Sequence, residues 1–143
     1  MKRVPAQSGC RARAGKLPGL MKAGLVLVVL AVSGCAPESA DAAAAAQEFR
    51  RAAAAGDTSA ACSMLSPKAR EKAATSGTCE EQLASLQLPT TGPALRTARY
   101  GRNAMVEFGD DTVFLTASGS GWLVTGAGCK PRGELPYDCD IGG

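Results

Sequence analysis

The sequence predicts an α+β domain: N-terminal helices packed on a small curved antiparallel sheet of about four strands, with two disulfides and a signal peptide preceding. Three observations carry this. Alanine- and leucine-bearing segments with helix caps run to about residue 88, and beyond Pro89, Gly92 and Pro93 the chain turns to short alternating runs separated by Gly/Asp turns. Four cysteines lie in the part that would be exported. A basic leader and a short apolar run stand ahead of both. Helices first and strands second indicate α+β.

The first element is the leader. Residues 1–34 contain Lys2, Arg3, Arg11, Arg13, Lys16 and Lys22 and no acid. The net charge of +3 divides accordingly: six of the 16 bases lie here, and the other ten face all 13 acids, leaving −3 on residues 35–143. Nucleic-acid binding needs a basic patch on the folded part, and this balance argues against one. Residues 23–33, AGLVLVVLAVS, form an uncharged and mostly apolar run. A membrane span needs roughly 20 residues, whereas the apolar core of a signal peptide needs about 7–15. Met21-Lys22 directly precedes the run and would make a compact start.

Val32-Ser33-Gly34-Cys35 closes the run and resembles the lipobox of bacterial lipoproteins. The resemblance implies cleavage after Gly34 and diacylglycerol on the Cys35 thiol. It also implies acylation of the new amino group, and two or three chains anchor stably where one is marginal. Residues 35–41 then read as a lipidated tether and 42–143 as a single domain. An ordinary secretory signal with a chance cysteine is the competing reading.

Asp41 is placed to cap a helix through AAAAAQEFRRAAAA, with Gly56 as its stop. Phe49, flanked by Ala45, Ala46, Ala52 and Ala53, is its one large buried residue. Asp57 caps a second helix over 58–65. Ser66-Pro67 opens a third, polar helix that stops near Gly77. Thr78 and Glu81 match a capping box for a fourth helix carrying Leu83 and Leu86. Strands are expected at 95–100, 104–108, 112–118 and 122–127, joined by turns at 109–111 and 119–121. The tail, GCKPRGELPYDCDIGG, reads as a loop pinned by its own disulfide.

Cys10 falls in the leader and Cys35 in the anchor, leaving Cys62, Cys79, Cys129 and Cys139. An even number in an exported chain with few large apolar residues reads as two disulfides. Three pairings are open. The local ones, Cys62–Cys79 and Cys129–Cys139, are preferred because each closes a short loop, each worth about 3 kcal/mol. A zinc site is the weaker reading, since there is no Cys-x-x-Cys and no histidine.

The lipobox, the Phe49…Gly56-Asp57…Ala61-Cys62…Leu65-Ser66-Pro67 stretch, and the Gly121-Trp122…Gly128-Cys129…Pro136-Tyr137-Asp138-Cys139 tail are similar to small actinobacterial lipoproteins of unknown function. The element order also resembles the NTF2-like, or cystatin-like, cone. These resemblances imply helices packed into a curved sheet and name no activity.

Without histidine, the commonest general base and the Ser–His and Cys–His pairs are unavailable. Glu80-Glu81 is better read as a helix cap than as an acid/base pair. Asp110-Asp111 fits a hairpin turn better than a calcium loop, since no further oxygen ligands stand at loop spacing. Ser118-Gly119-Ser120-Gly121 lacks the lysine of a phosphate loop. Trp122 is expected as a core anchor, and Tyr137 divides evenly between core and exposed binding residue; both are the candidate aromatic binding positions. Arg96, Arg99 and Arg102 are expected on a solvated edge.

These readings converge on a monomeric, non-catalytic module without metal or cofactor. It is held by lipid on the extracytoplasmic face of the cell membrane and takes a small ligand or an envelope protein partner. The alternatives are a cryptic carboxylate-dependent hydrolase and an assembly or regulatory factor for neighbouring envelope proteins.

Overall fold

Alanine carries the highest intrinsic helix propensity, and the alanine-rich segment forms α1 (Ser39–Ala54). The helix begins earlier than the Asp41 cap predicted. Glu38 is the extended N-cap residue, and Asp41, three places on, accepts from the Glu38 backbone N–H at 3.1 Å. Residues 39–41 thus form the first turn of α1. The computed structural model describes residues 38–88 and 92–143; the leader, the lipobox with Cys35, and Pro89 lie outside the described residues.

The next three helices start where caps satisfy their first amides. Asp57 Oδ1 accepts from the Ala60 N–H at the start of α2 (Thr58–Ser63). Ser66 Oγ accepts from Ala69 at the start of α3 (Pro67–Ala73). Thr78 and Glu81 form the reciprocal capping box of α4 (Cys79–Ser85), at 3.1 and 2.8 Å. A 3₁₀ turn, Ala74–Ser76, bridges the last two.

The strands are β1 (Arg96–Tyr100), β2 (Asn103–Glu107), β3 (Thr112–Ser118), β4 (Gly121–Arg132), β5 (Leu135–Asp138) and β6 (Ile141–Gly142). All the named strands pair antiparallel, in the order β1-β2-β3-β4-β5, with β6 paired to β4. The tail expected as a loop is a hairpin plus a short strand. Two features hid it. Gly128 has φ +64° and the β3–β4 register shifts at Thr112 and Phe114, so β4 bends where the sequence reads as a turn. Pro136 lies in β5, where an edge strand tolerates its missing N–H. Along β4, Val124 exchanges hydrogen bonds with Met64 and Ser66, Ala127 pairs with Ile141, and Lys130 pairs with Asp138.

Val106, Val113, Leu115 and Val124 alternate onto one sheet face and pack against Phe49, Leu65 and Ile141. Buried Ala42, Ala46, Ala61 and Ala69 carry little bulk, which lets the helices approach the sheet closely. The disulfides are the two local ones. Cys62–Cys79 joins α2 to α4, and Cys129–Cys139 joins β4 to the residue after β5. Among the described residues no helix is long and apolar enough to cross a membrane.

Candidate functional site

A groove of about 920 Å³ runs between α3, the middle of β3 and the β5 segment. On β3 it is lined by Phe114, Leu115 and Thr116; Phe114 and Thr116 are half-buried and alternate with the buried Val113, Leu115 and Ala117. The ring of Tyr137, on β5, meets Phe114 edge-on with centroids 5.0 Å apart, so the extra hairpin supplies one wall. Pro67 lines the facing side, and Lys68 and Lys72 of α3 stand on it as cations. Lys72 Nζ donates to the carbonyls of Gly142 at 3.1 Å and Gly143 at 2.6 Å. No Asp or Glu lines this groove.

A second cluster is electrostatic. Arg50 faces the core, its side chain only 4% exposed, and its guanidinium lies over the Phe108 ring at 3.9 Å. Arg50 Nη2 donates to Asp110 Oδ1 at 2.8 Å and stands 3.3 Å from Asp111 Oδ1. The latter contact is an ion pair without hydrogen-bond alignment, and Asp111 Oδ1 is buried with no donor of its own. Burial pushes the Asp111 carboxyl up. Arg50 offsets this, the neighbouring Asp110 charge adds to it, and the Gly128 backbone favours the charged form. A smaller hollow of about 240 Å³ beside Arg50 is lined by Gln47, Arg51, Ala54, Gly92 and Phe108.

The positions singled out in the sequence separate. Trp122 is buried in the core, and its indole N–H donates to the Glu38 carbonyl at 3.1 Å. Tyr137 is partly exposed in the groove wall, well away in the chain from Trp122, which does not line the groove. The two therefore form no joint aromatic platform. Glu81 is committed to its cap. Arg96 pairs with Glu107 at 3.2 Å on the exposed sheet edge. Asp110-Asp111 occupies the β2–β3 turn and also partners Arg50. That partnership was not read from the sequence, although Ala46, Phe49 and Arg50 stand at i, i+3 and i+4 on one helix stripe, which places Arg50 at the core. The two carboxylates that converge do so on Arg50, outside the lining of the larger groove. Among the described residues no three Cys, Asp or Glu side chains cluster as a metal site requires.

No protein-family model, no curated protein and no solved structure matches the chain.

Proposed function

We propose that this chain is a lipid-anchored extracytoplasmic protein whose domain is a non-catalytic module holding a small apolar ligand in the α3–β3–β5 groove. The observation that carries the ligand reading is the groove itself. Its volume lies in the usual range for small-molecule sites, and its walls combine Phe114, Tyr137, Pro136 and Pro67 with two lysines. The address rests on Val32-Ser33-Gly34-Cys35 behind a short apolar run. Two disulfides suit an oxidising compartment. The helices-then-sheet order supports the likeness to an NTF2-like architecture.

Two measurements test the two halves. Expressed in a bacterium that processes lipoproteins, the chain should carry acyl mass on Cys35, and Cys35→Ala should persist as an uncleaved precursor. Release of that variant by ordinary cleavage defeats the anchor. For the groove, the probe is 1-anilinonaphthalene-8-sulfonate, an aromatic body with one anionic group. It should bind saturably at one site. Thr125→Trp, which projects bulk into the groove wall, should weaken binding at least tenfold while the fold persists by circular dichroism. Unsaturable binding, or binding indifferent to Thr125→Trp, defeats the ligand reading.

A further inference from the structure

We infer that the end of the sheet carrying the β1–β2 and β3–β4 turns lies against the membrane, with Tyr100, Arg99 and Arg102 meeting anionic lipid headgroups. The inference rests on the lipid anchor proposed at Cys35 and adds the orientation and contact surface of the domain.

The chain's entry point fixes the geometry. An antiparallel meander places the turn after β1 and the turn after β3 at the same end of the sheet. Arg102 ties the two turns together: its carbonyl accepts from the Ala117 N–H at 2.7 Å, and its Nη2 donates to the Ala117 carbonyl at 2.7 Å. Trp122, the second residue of β4, lies at this same end, and its indole N–H donates to the Glu38 carbonyl. Cys35 stands three residues before Glu38, and three extended residues reach no more than about 10 Å. A lipid on Cys35 therefore holds Glu38 within that reach of the anchor and makes this end of the sheet, and not the far end, the one nearest the bilayer.

The side chains at that end have interfacial chemistry. Tyr100 is 61% exposed, although most of the few aromatics are buried or half-buried. A tyrosine ring with its hydroxyl suits the headgroup layer, where one end is apolar and the other wet. Arg99 and Arg102 are exposed cations that donate to the Gly101 and Ala117 carbonyls and, among the described residues, form no ion pair, and arginine forks match phosphate oxygens. The carboxylate of Asp41, at the same end, is turned onto the Glu38 amide. The acids Glu107, Asp110 and Asp111 lie at or beyond the opposite ends of β2 and β3. Of the acids at the entry end, Glu38 is turned onto the first-turn amide of α1, so Arg99 and Arg102 supply that end with exposed cations, while Arg96 at the other end of β1 is paired with Glu107.

The test uses the acylated chain in vesicles of phosphatidylglycerol and phosphatidylcholine carrying a doxyl-labelled lipid quencher. Tyr100→Trp and Leu135→Trp each add one indole to the single native tryptophan. Leu135 is 58% exposed and pairs with Arg132 at the far end of β4, a 12-residue strand whose path is about 36 Å at roughly 3.3 Å per residue. The indole added at 100 should be quenched several-fold more than that added at 135. Arg99→Gln with Arg102→Gln should lower the quenching at 100, as should vesicles of phosphatidylcholine alone. Equal or reversed quenching on protein that carries acyl mass overturns the orientation and leaves the anchor standing. Quenching at 100 that ignores headgroup charge and both arginines overturns the headgroup contact. Protein without acyl mass at Cys35 overturns the anchor and this inference together.

Discussion

Arg50 on α1 donates to Asp110 in the β2–β3 turn at 2.8 Å, joining residues 60 positions apart across the helix–sheet interface. The cation is almost fully buried while Asp110 is partly solvated, and Asp111 stands as a second, buried carboxylate 3.3 Å from the same guanidinium. Phe108 underlies the guanidinium. A buried charge is costly alone and tolerable when paired, so this contact fixes how the turn sits on the helix.

Arg50→Met should therefore destabilise the domain by about 3–5 kcal/mol, because it strands Asp111 in the interior. The triple variant Arg50→Met, Asp110→Asn, Asp111→Asn should recover most of that loss. Urea unfolding followed by circular dichroism measures both. Equal losses in the single and triple variants would show that Arg50 matters through packing alone.

The raised Asp111 carboxyl has a sign that can be checked. The native state holds this proton more tightly than the unfolded chain, so its contribution to stability is greatest below the ordinary carboxylate value of 3.8 and falls as pH rises through the folded value. Above that it is constant. Asp111→Asn removes the titration. The stability of wild type minus that of the variant should drop with pH from about 4 upward and then level off. A difference that rises over this window would contradict the burial argument.

The Cys129–Cys139 bridge closes a loop of sequence separation 10 and locks β4 to the end of β5. Cys129→Ala with Cys139→Ala should cost about 3 kcal/mol. Amide hydrogen exchange should accelerate selectively across 130–138, since Lys130 and Arg132 provide the pairing of that hairpin. Uniform acceleration throughout the domain would mean that the hairpin is not a separable unit.

Gly142 has φ +73°, and a Cβ there would stand only 1.9 Å from the Thr125 carbonyl oxygen. Gly142→Ala should detach β6, withdraw Ile141 from the core and cost about 2 kcal/mol or more. The midpoint of chemical unfolding reports the loss. An unchanged midpoint would show that β6 contributes nothing to stability.

The residues themselves determined the helices, because their start signals are local. Asp57, Ser66 and the Thr78–Glu81 box satisfy amides within three positions, and each acts as its spacing implies. The same locality made β3 legible over 112–118 and favoured the two short-loop disulfides. Tertiary structure alone decided the rest. β5 and β6 exist because β4 continues past a bulge and offers unpaired backbone groups, a demand that no window of the tail contains. The groove exists because that added hairpin brings Tyr137 beside Phe114. Arg50 is buried because a turn two strands later supplies its carboxylates. Caps are written within a few residues, whereas pairing edges, grooves and buried charges depend on partners that only the folded chain brings together.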